Sequence, residues 1–326
     1  MVEANKWYEK AAKQGDAKAQ FNLGLGYYKR EGLPQDYSKA MYWFGEAAEQ
    51  GNADAQLHIA WCLEDMQAPQ EEVVAAYRRA AEMGNADAQC HLGFGYFEGK
   101  HGLEKNITES NKWFLEAAKQ GNAIAQFQIG LKYEIGRGVK KSAKEAARWY
   151  MKSASKNNVD ALYKLGCCYY YGDGVRIDNH AAWRCFKKAS ELGDTWASYM
   201  LGRCYFCGHG VEEDEAEAVK CYQKAAAEHF APAVYELGKC YFDGAGTEKN
   251  TTKALELFRE AAEMEYSKAL YMMGYCYYNG IDVKKDEDQA LDYFKEAAQF
   301  GYKKAEERVH EILLSRETQN YDDVPF

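Results

Sequence analysis

Residues 197–229, ASYMLGRCYFCGHGVEEDEAEAVKCYQKAAAEH, decide the fold of this 326-residue chain. Leu201, Gly202 and Tyr205 recur at helical spacing until the glycine-rich loop 207–211, which predicts a first helix, helix A. Acidic residues then favour a helix start, and a second amphipathic run to the end of the stretch predicts helix B, antiparallel to helix A. The stretch therefore predicts one helical hairpin.

The same pattern repeats along the chain. The residue that ends each helix B recurs with spacings of 36, 33 and 37 residues and then five spacings of 36. These residues are Gly15, Gly51, Gly84, Gly121, Asn157, Gly193, His229, Glu265 and Gly301. Such self-similarity predicts a repeat array, in which each hairpin contacts only its neighbours and the product is an extended binding surface.

A small residue occupies one position of helix A in every repeat. It is Gly in seven repeats and Ala60 in the eighth. The glycines are Gly24, Gly93, Gly130, Gly166, Gly202, Gly238 and Gly274. Because a Gly inside a helix costs ~1 kcal/mol relative to Ala, its recurrence predicts that a neighbouring helix crosses closely at this point.

The repeat predicts the arrangement of the whole chain. We expect eight helix A and helix B pairs between a single helix B at residues 4–14 and a last helix near residues 302–315, which act as caps. The second repeat lacks the Gly-x-Gly loop and is shorter, so we expect a local change in pitch there. Residues 1–315 are predicted to form this array, and residues 316–326 a flexible acidic tail.

The pattern Ala-x-x-x-Leu-Gly-x-x-Tyr, a Gly-x-Gly-Val loop, then Lys-Ala-x-x-Trp/Tyr-x-x-x-Ala-Ala-x-x-Gly resembles the Sel-1-like repeat family. The resemblance covers about residues 4–310, and residues 161–193 match nearly throughout. It implies an all-α, right-handed α/α superhelical solenoid, related to tetratricopeptide arrays and used as an adaptor or scaffold for protein complexes. His229 and Glu265 depart from the glycine that ends helix B in the family pattern.

Composition narrows the function classes. The net charge of −9 is spread along the chain, which argues against direct nucleic-acid binding. The N-terminus lacks the basic start and apolar stretch of a signal peptide, and no run of ~20 apolar residues could span a bilayer. We therefore expect a monomeric cytoplasmic protein that does not contact membranes and whose ten cysteines are reduced thiols.

Two rows of helix A residues form the predicted partner-binding groove. The first row, the ladder, lies two residues before the Leu-Gly step and includes Tyr163, Tyr199, Tyr235 and Tyr271. The second row lies four residues after the glycine and includes Tyr170, Phe206, Phe242 and Tyr278. By analogy with tetratricopeptide arrays these rows face a concave groove, where Tyr offers contact area and a hydroxyl to a peptide. The alternative is that the ladder packs within the array.

Other motifs favour structural roles. Cysteines at one repeat position would lie ~10 Å apart in stacked repeats, too far for disulfides, so we expect small core residues. They are Cys62, Cys168, Cys204, Cys240 and Cys276. Ser153-x-x-Lys156 lacks the companion motifs of penicillin-binding enzymes, and Cys204, Cys207 and His209 lack a fourth zinc ligand. We expect no enzymatic activity, no cofactor and no metal.

The last residues differ from the array. The chain ends with Asp322, Asp323, Val324, Pro325 and Phe326. This end resembles the acidic tip of bacterial single-stranded-DNA-binding proteins, in which a terminal Phe and acidic residues dock on a reader protein. Three hypotheses follow: a scaffold that binds a peptide or protein in its groove, a tail that docks on readers of that tip, and an immunity or inhibitor protein that occludes a toxin enzyme.

Overall fold

The computed structural model describes the backbone of residues 2–322 and the side chains of residues 3–316. In this part the chain is helical, without strands. It divides into two compact units, Met1–Leu165 with Asp173–Val175, and Gly166–Gly172 with Arg176–Phe326. Each unit is an arrangement of helices in which successive helices pack against each other.

The helices are short and of nearly equal length. The first unit contains α1 (Val2–Lys13), α2 (Ala17–Lys29), α3 (Tyr37–Glu49), α4 (Ala53–Asp65), α5 (Gln70–Glu82), α6 (Ala86–Glu98), α7 (Ile107–Lys119), α8 (Ala123–Ile135) and α9 (Ala143–Ala154). Helix α10 (Val159–Tyr171) is divided between the units. The second unit contains α11 (Asn179–Glu191), α12 (Thr195–Cys207), α13 (Glu215–Ala226), α14 (Ala231–Asp243), α15 (Thr251–Glu263), α16 (Ser267–Asn279), α17 (Glu287–Gln299) and α18 (Lys303–Asp322).

This order confirms the predicted all-α array of hairpins. The eight even-numbered helices from α2 to α16 are helices A, and each is followed by its helix B. Helix α1 is the single helix B at one end, and α18 is the single last helix. Helix α18 ends at Asp322, beyond the predicted end near residue 315. The predicted flexibility of residues 316–326 stays a prediction.

The repeated glycine of helix A lies against an aromatic ring of its own helix B. A Cβ atom added to Gly202 would come within 2.6 Å of the Tyr222 ring, and one added to Gly238 within 2.8 Å of the Phe258 ring. The same contact joins Gly24 to Phe44, Gly93 to Phe114, Gly130 to Tyr150, Gly166 to Phe186 and Gly274 to Phe294. The predicted close crossing of the helices is therefore confirmed.

The residues predicted to end helix B have the left-handed backbone of a helix terminus. All nine have positive φ, from 52° at His229 to 98° at Gly193. Left-handed backbone brings Cβ close to the following carbonyl in every residue but glycine. His229 and Glu265, the departures from the family pattern, therefore sit in strained positions.

The repeated cysteines are core residues. Cys62, Cys168, Cys204, Cys240 and Cys276 are all buried. Burial raises the pKa of Cys204 and Cys240 to about 12. These two thiols remain protonated at neutral pH, as expected for packing residues rather than nucleophiles.

Glu265→Gly should stabilise the protein by about 1 kcal/mol, because glycine removes the steric cost of a φ of 59°. The control is Glu256→Gly at an exposed position inside α15, which should destabilise the helix by about 1 kcal/mol. Urea denaturation measures both free energies of unfolding. Equal losses in the two variants would contradict the strain at residue 265.

Gly238→Ala should destabilise the protein by roughly 1–3 kcal/mol, because the new methyl group overlaps the Phe258 ring. Gly45→Ala, inside α3, is the matched control because no atom lies within 4 Å of its added Cβ. There the better helix propensity of Ala should stabilise by about 1 kcal/mol. Thermal melting distinguishes the two, and stabilisation by both would refute a tight crossing at Gly238.

Candidate protein-binding face

The ladder tyrosines of the second unit are packed between two other aromatic residues. The Tyr199 ring centre lies 6.1 Å from that of Tyr222 on helix B and 5.5 Å from that of Phe230, at the start of the next helix A. The equivalent sets are Tyr235 with Phe258 and Tyr266, and Tyr271 with Phe294 and Tyr302. These ladder tyrosines thus pack within the array, which is the alternative that the sequence left open.

The third residue of each set occupies a position that is polar elsewhere. Helices A of earlier repeats begin at an Asp or Asn whose side chain accepts a hydrogen bond from a backbone N–H. These caps are Asp16, Asn52, Asn85, Asn122 and Asp194. Phe230 and Tyr266 cap α14 and α16 without such a bond, and Tyr302 precedes α18. Loss of a polar cap costs about 1 kcal/mol, so the three rings replace a stabilising interaction.

We call the surface formed by the ladder tyrosines Tyr199, Tyr235 and Tyr271 and these helix-start rings the aromatic face. Its ladder residues Tyr199 and Tyr271 are half-buried, whereas Tyr235 is only 8% exposed. More exposed rings lie on the same helices, with Trp196 at 53% and Tyr275 at 37%. The face therefore combines a packed aromatic base with accessible rings. The helix-start rings were not predicted, although the absence of Asp or Asn at these positions is a signal in the sequence.

Tyr163, the fourth predicted ladder residue, belongs to the first unit and is half-buried. The prediction that it contacts a partner stays a prediction.

Cations accompany the aromatic rings of the second row. Tyr170, Phe206, Phe242 and Tyr278 are all half-buried. Cations lie near three of the rings, with Arg203 6.0 Å from Tyr170, Lys249 6.0 Å from Phe242 and Arg308 4.5 Å from Tyr278. These three rings therefore already make cation–π contacts within the protein. The row thus carries a cation beside three of its four rings, and its contact with a partner stays a prediction.

A surface pocket of about 370 Å³ opens between α16 and α18. Tyr271 and Tyr275 line it from α16, and charged residues of α18 line the other side. There Arg308 donates a hydrogen bond to Glu311 at 2.7 Å. The pocket places a predicted groove residue, Tyr271, beside accessible charged groups.

In the first unit, two second-row positions hold glutamates instead of rings. Glu134 accepts hydrogen bonds from Tyr150 and from Lys164, the latter at 2.9 Å, and Glu64 accepts one from Tyr77 at 2.8 Å. Burial alone would raise the pKa of Glu134, but the hydrogen bonds from Tyr150 and Lys164 and the charge of Lys164 lower it overall. Each glutamate thus accepts a hydrogen bond from a helix B tyrosine.

Other candidate chemistry has structural partners. Ser153 is buried and donates a hydrogen bond to the Ala123 carbonyl at 2.7 Å. His209 contacts the Tyr170 hydroxyl through Nδ1 at 2.9 Å. Across the residues that the structure describes, no group of three His, Cys, Asp or Glu side chains could hold a metal ion.

The described residues also include no helix that is both long and apolar enough to cross a membrane. The predicted docking residues Asp323, Val324, Pro325 and Phe326 lie outside the described part of the chain, and so does the side chain of Asp322. Docking by the tail stays a prediction.

Comparison with known proteins identifies the repeat. The model of the Sel1 repeat matches eight segments, residues 1–16, 17–52, 86–122, 123–158, 159–194, 197–229, 231–266 and 267–301. It omits residues 53–85, the repeat with the shortened loop. No curated protein matches the chain.

Solved structures share the fold. A protective antigen of uropathogenic Escherichia coli displaying an SLR fold is 30% identical, over 95% of this chain and 67% of that chain, with a TM-score of 0.80. A Sel1 repeat protein from Oxalobacter formigenes is 29% identical over 74% of this chain and 96% of that chain, with a TM-score of 0.64. An immunity protein from Pseudomonas aeruginosa has 21% identity over 66% of this chain and 81% of that chain, and its TM-score of 0.40 supports no functional argument.

Glu134→Gln should lower stability at pH 7, and the difference from the unchanged protein should shrink as the pH falls. The pKa of Glu134 is lower in the folded state, so its contribution is present above the unfolded pKa and is lost as pH falls through the folded pKa. Denaturation midpoints between pH 7 and pH 3 measure the effect. Glu49→Gln, at an exposed position of α3, is the control and should behave like the unchanged protein. A difference that is independent of pH would contradict the role of the charge.

Proposed function

The chain belongs to the Sel1 repeat family, and from this premise we propose that it is a non-enzymatic scaffold that binds a protein or peptide partner. The binding surface in this proposal is the aromatic face of the second unit. Tyr199, Tyr235 and Tyr271 are its anchors, and Phe230, Tyr266 and Tyr302 pack beside them.

One observation carries the proposal: α14, α16 and α18 begin with a ring instead of the polar residue that starts the earlier helices A. Sites that repeatedly break a local stability rule are typical of function. Here the rings pack beside the ladder at 5.2 to 5.5 Å, with interplanar angles of 61° to 69°. They fix the ladder rotamers, which reduces the side-chain entropy that a partner must overcome on binding.

Aromatic residues suit this role physically. Tyr offers a large rigid surface together with a hydroxyl, and aromatic residues are enriched among those that dominate binding energy. Accessible rings at the edge, Trp196 and Tyr275, would extend the contact beyond the half-buried ladder. The pocket beside Tyr271 and Tyr275 offers a place for one partner side chain.

We further place the protein in the cytoplasm as a monomer that binds no nucleic acid directly. Buried thiols such as Cys204, Cys240 and Cys276 suit a reducing compartment. The net charge of −9 favours a protein partner over a polyanion.

Tyr266→Asn should separate binding from folding. Asn restores the hydrogen-bonding cap of α16, which offsets part of the lost ring packing, while the ladder residue Tyr235 loses its support. We expect folding to be retained and capture of partners from cell lysate to fall at least about tenfold relative to the unchanged protein, as for the loss of one interface hot spot. Quantitative mass spectrometry of the captured proteins measures the change.

Two controls make this test specific. Tyr42→Ala removes an exposed ring from α3 in the first unit and should leave capture unchanged. A chain shortened by Asp322–Phe326 tests the tail hypothesis. Partners kept by Tyr266→Asn but lost with the tail would overturn the proposal in favour of tail docking.

A further inference from the structure

Arg203 on α12 is a cation of the second unit without an acidic partner. It is half-buried, and its guanidinium carbon lies 6.0 Å from the centre of the Tyr170 ring. In the part of the chain whose side chains are described, it makes no hydrogen bond or ion pair. A half-buried guanidinium has lost part of its hydration and keeps five N–H donors to satisfy.

Two other cations of the array have acidic partners. Lys164 on α10 pairs with Glu134 at 2.9 Å, and Arg308 on α18 pairs with Glu311 at 2.7 Å. Lys239 holds on α14 the position that Arg203 holds on α12, and it also lacks an ion pair among the described residues. Helices α12 and α14 thus carry, at the same repeat position, a cation that forms no ion pair with a described side chain.

Tyrosine side chains lie near Arg203. It is close enough to Tyr170, Tyr199 and Tyr171 for electrostatic interaction with each of them. The Tyr170 hydroxyl already contacts His209 Nδ1 at 2.9 Å, so the Tyr199 hydroxyl is the donor that remains for a ligand. Tyr171 is 56% exposed and offers its ring to solvent. The site therefore combines a cation, a neutral donor and an accessible apolar wall.

We propose that the partner is an acidic peptide segment, in which a carboxylate pairs with Arg203 and a neighbouring aromatic or aliphatic side chain packs on Tyr171 and Tyr199. The inference rests on the proposed function, because it names the chemistry of the partner at the aromatic face. Charge complementarity decides the sign of the ligand, since the guanidinium fork matches a carboxylate with two parallel hydrogen bonds.

The charge of the rest of the molecule limits how acidic the partner can be. The chain carries a net charge of −9, so its surface as a whole disfavours a long acidic segment. Glu236 on α14 shares the electrostatic environment of Tyr199 and disfavours a second carboxylate on its side. The partner therefore needs one well-placed carboxylate rather than a long acidic run.

The test selects ligands from a random peptide library displayed on phage, with the full chain as bait. The selected peptides should carry Asp or Glu next to an aromatic or aliphatic residue. Synthetic copies should bind the unchanged chain and lose at least about tenfold in affinity to Arg203→Gln, as expected for loss of a desolvated charge pair. Arg203→Lys should retain part of the affinity, since it keeps the charge but not the fork.

Arg184→Gln, at an exposed position of α11, is the matched control and should bind the peptides unchanged. Thermal melting of each variant confirms that it is folded. Selected peptides without acidic residues, or equal binding to Arg203→Gln, would overturn this inference and leave the proposed function standing. A selection that yields no specific peptide at all would overturn both.

Discussion

The contact between a helix A glycine and a helix B aromatic ring determines the rest of this structure. At Gly202 and Gly238 the ring fills the space that a Cβ would occupy, so the two helices approach more closely than any larger residue would allow. The close approach buries the ring completely, as for Phe258. The hairpin is thereby stabilised locally, and the same pair recurs in seven of the eight repeats because a repeat array can bury its core only by copying one interface.

This arrangement leaves helix A with two kinds of position. Those that face helix B are held by the ring and tolerate little change. The ladder residues Tyr199 and Tyr271 pack on the same ring from another side of helix A and are half-buried. They are close enough to the core to be rigid and close enough to solvent to meet a partner. A binding surface can therefore change without a change in the fold, which is why the family alone does not identify a ligand.

Much of the fold could be predicted from the sequence, because the residues that recur at one repeat position indicate the backbone conformation and the helix spacing at that position. Glycine at a crossing and at a left-handed helix end has a steric cause that can be read from one residue. The site was harder to predict, since it depends on contacts between repeats. The role of Phe230 depends on its packing against Tyr199. Lys132, only 3% exposed, occupies a cysteine position, where its ammonium makes cation–π contacts with Phe97 and Phe114. No periodicity in the sequence predicts such contacts.

The aromatic helix starts also explain how a repeat protein accommodates costly residues. In an array of hairpins stability is approximately a sum of repeat and interface contributions, so a loss of about 1 kcal/mol at one cap can be outweighed by the interfaces with its neighbours. A compact single-core domain of marginal stability has less tolerance for three such losses in succession. The loss is also partly offset here, because each ring packs on a ladder tyrosine. The rings of the second unit can therefore be retained for recognition while the glycine and aromatic contacts maintain the fold.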